Sequence, residues 1–337
     1  MRRVWWLWSA CLLMVAPACS GSESSPRGDG ASFGGLLQAV PDTDAARRNP
    51  VYFGNLRALR DGEQAASSED DLGLLFGRSG GMAFLPEVFR LGPNEPEFAD
   101  YVGFDTRQIE AVLEFGTQPD SVALLVGTIP AGAVEQGLRS SPGGDSLVKE
   151  KAGDVTLLSL GEDDTTEFEN VSPIRRVGQP LRMAVVGDML YWGRTDDAVG
   201  SALDAADGSA PSLADDVNYS AVAQALDAAA VVNGIIVAPA AGERWSLAGL
   251  GETFQDDSST VTIALLYANP TLAAAAVPAL RTHLESATSL MSGEPWSQTL
   301  TVTEAVADGV LLRATLSSTR GGITSRVVLG QDNLLQF

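Results

Sequence analysis

Two stretches of this chain, roughly 140 residues apart, run through one order of elements, and that order narrows the possible folds more than any other feature. In the first, Ser121 to Val126 is a short buried-type strand and Pro130 stands at the first turn of a helix whose Val134 and Leu138 face inward. Val155 to Leu160 is a second strand, and Met183 to Trp192 is a hairpin closed by Gly187-Asp188. In the second, Val261 to Tyr267 is a strand and Asn269-Pro270 opens a helix carrying Leu272, Val277, Leu280 and Leu284. Leu300 to Val306 then alternates at period two and turns at Asp308-Gly309 into Val310 to Leu316. The shared order is strand, helix, strand, strand. Hairpins of this kind pair antiparallel, so the expected class is α+β: two diverged βαββ-type units with mainly antiparallel sheets and helices packed on one face. Thr195 caps a further helix that faces Val199, Ala202 and Leu203 inward and ends at Gly208, and another carries Tyr219, Val222, Ala223 and Leu226. Nearer the start, Val51 to Phe53 is a short apolar run, Leu56 and Leu59 suggest a turn or two of helix, and Thr106 to Glu114 reads as a helix with Ile109, Val112 and Leu113 on one side.

The N-terminus carries an address. Arg2 and Arg3 precede an apolar run from Val4 to Val15, and Ala16-Pro17-Ala18-Cys19 closes it with small residues before a cysteine. A run of this length is the core of a secretory signal, well short of a spanning helix, and no later apolar run reaches bilayer length. The segment resembles a bacterial lipoprotein precursor: Ala16, Ala18 and Cys19 match the lipobox, with Ala16 in place of the usual Leu and Pro17 as an uncommon neighbour. The resemblance implies diacylglycerol thioether-linked at Cys19, cleavage before it, and N-acylation by a chain such as palmitate. Two acyl chains at ~0.8 kcal/mol per methylene give on the order of 24 kcal/mol of attachment, an anchor that does not let go. The expected organisation is a signal peptide over 1–18, a flexible Ser/Gly tether over 19–35, and α+β units over 36–208 and 209–337. The expected location is the extracytoplasmic side of a cell membrane, an outer membrane being permitted because Ser20 carries no retention signal of the Asp type.

Composition excludes several function classes. Of 337 residues, 43 are Asp or Glu and 22 are Lys or Arg, a net charge of -21. A surface that acidic repels phosphates and forfeits counterion release, so no nucleic-acid partner is expected. Removing Arg2 and Arg3 with the leader makes the mature chain more acidic still, so the body stands off an anionic bilayer. Cys11 leaves with the signal peptide and Cys19 is consumed by lipid, so no disulfide can staple the exported fold.

Chemistry-bearing residues are few. The single histidine, His283, lies on the expected Pro270 helix beside Leu284 and reads as helix surface or partial packing rather than a triad base. Ser146-Leu147-Val148-Lys149 spells S-x-x-K but lacks the companion motifs of serine acyltransfer enzymes. With no mature cysteine and one histidine, zinc, copper and haem lack ligands. Acidic clusters at Glu69-Asp70-Asp71, Glu162-Asp163-Asp164, Asp196-Asp197, Asp215-Asp216 and Asp256-Asp257 lack the spacing of a calcium loop; Asp196-Asp197 and Asp215-Asp216, at helix starts, read as caps, and a weak carboxylate calcium site is the alternative left open. The Gly77 to Gly81 loop and Gly249-Leu250-Gly251 are not phosphate-binding motifs and read as ordinary loops. After signal cleavage the tryptophans are Trp192, read as core, and Trp245 and Trp296, read as loop residues that pin loops to the core or serve as interface anchors.

Gly187-Asp188 and Ser212-Leu213-Ala214-Asp215-Asp216, within a span from Ser121 to Pro239, resemble an uncharacterised family of exported bacterial proteins of unknown function, a resemblance that implies no activity. The expected function is a non-enzymatic, lipid-anchored module that binds an envelope protein or a small ligand, with no cofactor and no metal. A carrier of a lipid or hydrophobic ligand, its helices enclosing an apolar cavity, and an envelope hydrolase are the alternatives.

Overall fold

The computed structural model describes residues 31–62, 97–152, 155–255, 258–329 and 332–337. Cys19, Glu69-Asp70-Asp71, Gly77 to Gly81 and Asp256-Asp257 lie outside them.

Twelve strands form one sheet: β1 (Val51–Asn55), β2 (Ile109–Phe115), β3 (Val122–Gly127), β4 (Val148–Ala152), β5 (Val155–Leu160), β6 (Leu181–Val186), β7 (Met189–Gly193), β8 (Asn233–Val237), β9 (Trp245–Gln255), β10 (Ser258–Tyr267), β11 (Leu300–Asp308) and β12 (Leu311–Ser318). Their order is β11-β12-β10-β9-β8-β1-β2-β3-β7-β6-β5-β4. Each neighbouring pair is antiparallel. With helices, this is the α+β class. The sheet runs unbroken across residue 208, because β1 pairs with β8 through Val51↔Ile236 to Gly54↔Asn233.

Five helices of seven residues or more follow β3: α1 (Ala131–Ser140), α2 (Asp196–Ala206), α3 (Val217–Ala228), α4 (Pro270–Ser286) and α5 (Ile323–Leu329). Their starts follow from local chemistry. Thr195 Oγ1 accepts the Ala198 N–H at 3.3 Å, Asp216 Oδ1 the Asn218 N–H at 2.8 Å, and Asn269 Oδ1 the Leu272 N–H at 3.0 Å. Each satisfies a first-turn donor that would otherwise have no partner.

The helices cover both faces of the sheet, not one. Leu113 and Leu124, paired across β2 and β3, pack with Val199 of α2 and Val222 and Leu226 of α3. Their neighbours Val112 and Leu125 point the other way, to Val134 and Leu138 of α1. On that second face of the C-terminal half, Ile263 and Leu312 pack with Leu280 and Leu284 of α4. A strand buried on both sides is apolar at consecutive positions. The same fact corrects 106–114, expected as a helix: Ile109, Val112 and Leu113 fit a helical face, yet after a short turn at Thr106–Gln108 the segment is β2.

Two further corrections concern loops. The tether does not extend to 35: Ala31 and Phe33 are buried, and Phe33 stacks on Phe53 at 5.0 Å. Asp227 of α3 bolts the segment down by accepting the Phe33 and Gly34 N–H groups at 2.8 and 2.9 Å. Gly249-Leu250-Gly251 lies in β9, where a Cβ on Gly249 would come 2.4 Å from Val222 and one on Gly251 2.4 Å from Val231. The glycines let α3 and the chain after it close on the sheet.

Glu252, beside them, is fully buried, and no described cation pairs with it. It accepts Ser259 Oγ–H at 2.7 Å and stands 3.4–3.5 Å from the Thr324 and Ile323 N–H groups that open α5. Burial pushes its carboxyl above the ordinary range despite these donors. Between the unfolded and the folded value the folded state holds a proton that the unfolded chain has released, so stability falls as pH rises through the folded value. Glu252→Gln is expected to raise the melting midpoint at pH 8 by ~2 °C or more, with a smaller gain at pH 5. Thermal melts at both pH values check this; a gain that does not grow with pH contradicts it.

Candidate functional site

The connection from β5 to β6, residues 161–180, is built around two buried arginines. It contains Glu162, Asp163, Asp164, Glu167 and Glu169, a run of like charges that repels itself unless cations are brought in. Arg182, 3% exposed, stands at its foot: Nη2 bonds Asp163, Nε donates to Asp196 at 2.6 Å, and Nη1 donates to the Gly161 carbonyl at 3.0 Å. Two of the acidic clusters are thus explained by one guanidinium rather than by a cation site. Among the described residues, no group of three or more His, Cys, Asp or Glu is placed to hold a metal.

Arg175 does the same inside the loop. Its side chain is fully buried, Nε donates to the Gln179 carbonyl at 2.9 Å, and Nη2 donates to Glu167 Oε2 at 2.9 Å. Glu167 is held below its usual range first by the Asn170 amide, at 2.8 Å, and then by Arg175. Nη1 has no partner, and the guanidinium needs glycine around it: a Cβ on Gly143 would stand 2.9 Å from Nη1 and one on Gly161 2.7 Å from Nη2. The backbone closes on itself as well, the Glu167 N–H donating to the Gly178 carbonyl at 2.9 Å and the Arg175 N–H to the Ser172 carbonyl at 3.1 Å.

This rigid frame holds an unfavourable display. Phe168, Val171 and Val177 are 74%, 49% and 52% exposed. The Glu167 to Gly178 bond joins the backbone that flanks Phe168 to the backbone that flanks Val177, which sits at φ 52°, ψ 20°. A β-branched side chain in the left-handed region costs on the order of 1–3 kcal/mol and persists only where the surroundings force it.

Beside the display, Arg176, Gln179 and Pro180 form one wall of a half-open cleft. The turn between β2 and β3 supplies Gln118 and Ser121, hydrogen-bonded to each other at 2.6 Å, and β7 leads in Trp192 and Arg194. Trp192 is core, as expected, 7% exposed and stacked on Phe98.

The residues singled out in the sequence lie elsewhere. Trp245 and Trp296 are not exposed anchors, at 7% and 1% exposure. Trp245 opens β9 instead of lying in a loop, and its indole N–H reaches the Leu335 carbonyl at 3.4 Å. That of Trp296 donates to Asn333 Oδ1 at 3.0 Å, so both tie the C-terminal tail to the body. Ser146 Oγ–H is given to the Gly143 carbonyl and Lys149 pairs with Glu135 at 2.6 Å, so the two share no helical turn. His283 is half-buried against Phe337, its pKa lowered by burial, with no nucleophile beside it among its described contacts. Sequence reasoning missed Arg175, Arg176, Arg194 and Phe168. The available signal was an Arg-Arg pair between Pro173 and Pro180 in an acidic chain.

No protein-family model and no curated protein matches this chain. Among solved structures it is similar to crystal forms IV, III and I of TP0453, at 8% identity in each case. The TM-scores are 0.40, 0.40 and 0.37, covering 87%, 90% and 89% of this chain and 99%, 98% and 98% of TP0453.

If Arg175 holds the loop, Arg175→Ala strands the Gln179 carbonyl and leaves a void. Cleavage within 161–180 by limited proteolysis of the folded protein is expected to speed up on the order of 100-fold, corresponding to ~3 kcal/mol of lost local stability. An unaltered cleavage rate contradicts the role.

Proposed function

We propose that this chain is a lipid-anchored, extracytoplasmic, non-enzymatic binding module whose recognition face is the 161–180 loop and the cleft beside it. The observation that carries this is the loop itself: two buried arginines and a strained Val177 are used to keep Phe168, Val171 and Val177 in water. Exposed apolar groups scattered singly need no explanation, but three on one stiff loop, held at a cost in strain, have the form of a contact surface. A rigid display loses little entropy on binding.

The anchor supports the same assignment from the other end. The N-terminal run to Cys19 resembles a lipoprotein leader, and the described body begins at Ala31. The chain from Cys19 to Ala31 spans at most ~40 Å at full extension, so the start of the body stays within that distance of a membrane surface. The body is read as two diverged units, with β3, α1, β6 and β7 corresponding to β10, α4, β11 and β12. On this reading β4 and β5 are an insertion, and the boundary near residue 208 falls after α2. The long connection that carries the display belongs to that insertion, which fits a function added to a duplicated scaffold.

The test places a photo-crosslinking amino acid at Phe168 in cells, with the equally exposed Leu290 as control. An adduct is expected at 168, absent at 290, and lost in Cys19→Ala. Equal labelling at both positions, or labelling indifferent to Cys19→Ala, overturns the assignment.

A further inference from the structure

We propose that the cleft between the 161–180 loop and β7 binds a small organic oxyanion, a carboxylate or phosphate on an apolar body. The inference deepens the function proposed above and rests on it only for placing recognition at this loop.

Charge is the first support. The chain carries almost twice as many acids as bases, yet the cleft wall holds Arg175, Arg176 and Arg194 against one carboxylate, Glu114. Arg175 is occupied by Glu167, but Arg176 is exposed and has no ion-pair partner among the described residues. In a molecule whose overall field repels anions, the guanidinium of Arg176, unpaired among the described residues, gives an anion one local point of attraction. A guanidinium matches the two oxygens of a carboxylate or phosphate in a way that water does not.

Polarity of the floor is the second. Ile174, Leu181 and Trp192 line the cleft at 5%, 1% and 7% exposure, so the cation stands over an apolar bottom. The cleft is small, about 60 Å³ in volume. That suits a charged head group with its first carbons and leaves the remainder of a ligand at the rim, where Val177 and Phe168 adjoin Arg176 through the chain and the Glu167 to Gly178 bond. An inorganic anion would leave the floor unused, and a neutral apolar molecule would leave Arg176 unused.

The experiment titrates the full chain in phosphatidylcholine nanodiscs by calorimetry with benzoate, phenyl phosphate, benzyl alcohol and inorganic phosphate, against empty nanodiscs. Saturable binding is expected for benzoate or phenyl phosphate, the stronger of the two identifying the source chemistry, and it weakens with added salt. Arg176→Gln is expected to weaken it about tenfold and Arg176→Lys to retain most of it, with melting unchanged in both because the side chain is exposed. No saturation by either anion up to about 10 mM overturns the inference, as does binding indifferent to Arg176→Gln. Benzyl alcohol or inorganic phosphate binding as tightly as the anions also overturns it, since the charge or the floor would then contribute nothing. A failed titration leaves the crosslink at position 168 standing, and a failed crosslink leaves the titration standing, so the two can fall separately.

Discussion

One guanidinium, that of Arg175, organises the 161–180 connection. Taking it out of water is costly, and Glu167, itself partly exposed, answers only part of that cost. The carbonyls of Gln179 and Gly178 answer more of it, at 2.9 and 3.4 Å, and Nη1 is left without a partner among the described residues. Arg182 plays the matching part at the foot, drawing Asp163 and Asp196 together although they are far apart in the chain. Acidic residues that would scatter the segment by repulsion are thereby turned into its cross-links.

The sheet explains why the loop is where it is. Two hairpins of the antiparallel order close in two residues: Gly187-Asp188 joins β6 to β7, and Gly309-Val310 joins β11 to β12. The same kind of neighbour pair, β5 and β6, is joined by residues 161–180. A connection this long, with only short 3-10 turns at Phe168–Asn170 and Arg176–Gly178, is not needed for pairing, and long loops in compact domains are usually either functional or disordered. It hangs from strands held by core on both faces, so the display inherits a stiff base.

Much of the scaffold was legible in residue order, and the reasons for the exceptions are physical. Thr195, Asn269 and the Gly187 turn act through neighbours two or three positions away, and they hold in the structure as they read in the chain. What failed depends on distant partners. Ile109 to Phe115 is a strand because α1 lies on one side and α3 on the other, and a one-dimensional pattern does not say how many layers will cover it. Trp245 reads as a loop aromatic although it opens β9, because the tail its indole reaches comes from the far end of the chain. Arg175 was the least visible: an Arg-Arg pair in a polar stretch reads as solvated surface, and only the turn that brings Glu167 and Gly143 around it reveals one of the two as core.

The claim on which the functional proposals depend is that residues 161–180 form a fixed frame and not a solvated strap. Amide hydrogen exchange of the wild-type protein addresses it directly. The amides of Glu167, Arg175 and Gly178 donate to carbonyls within the loop and are predicted to exchange at least ~100-fold more slowly than in an unstructured peptide. Exchange of these three at the unstructured rate would contradict the account.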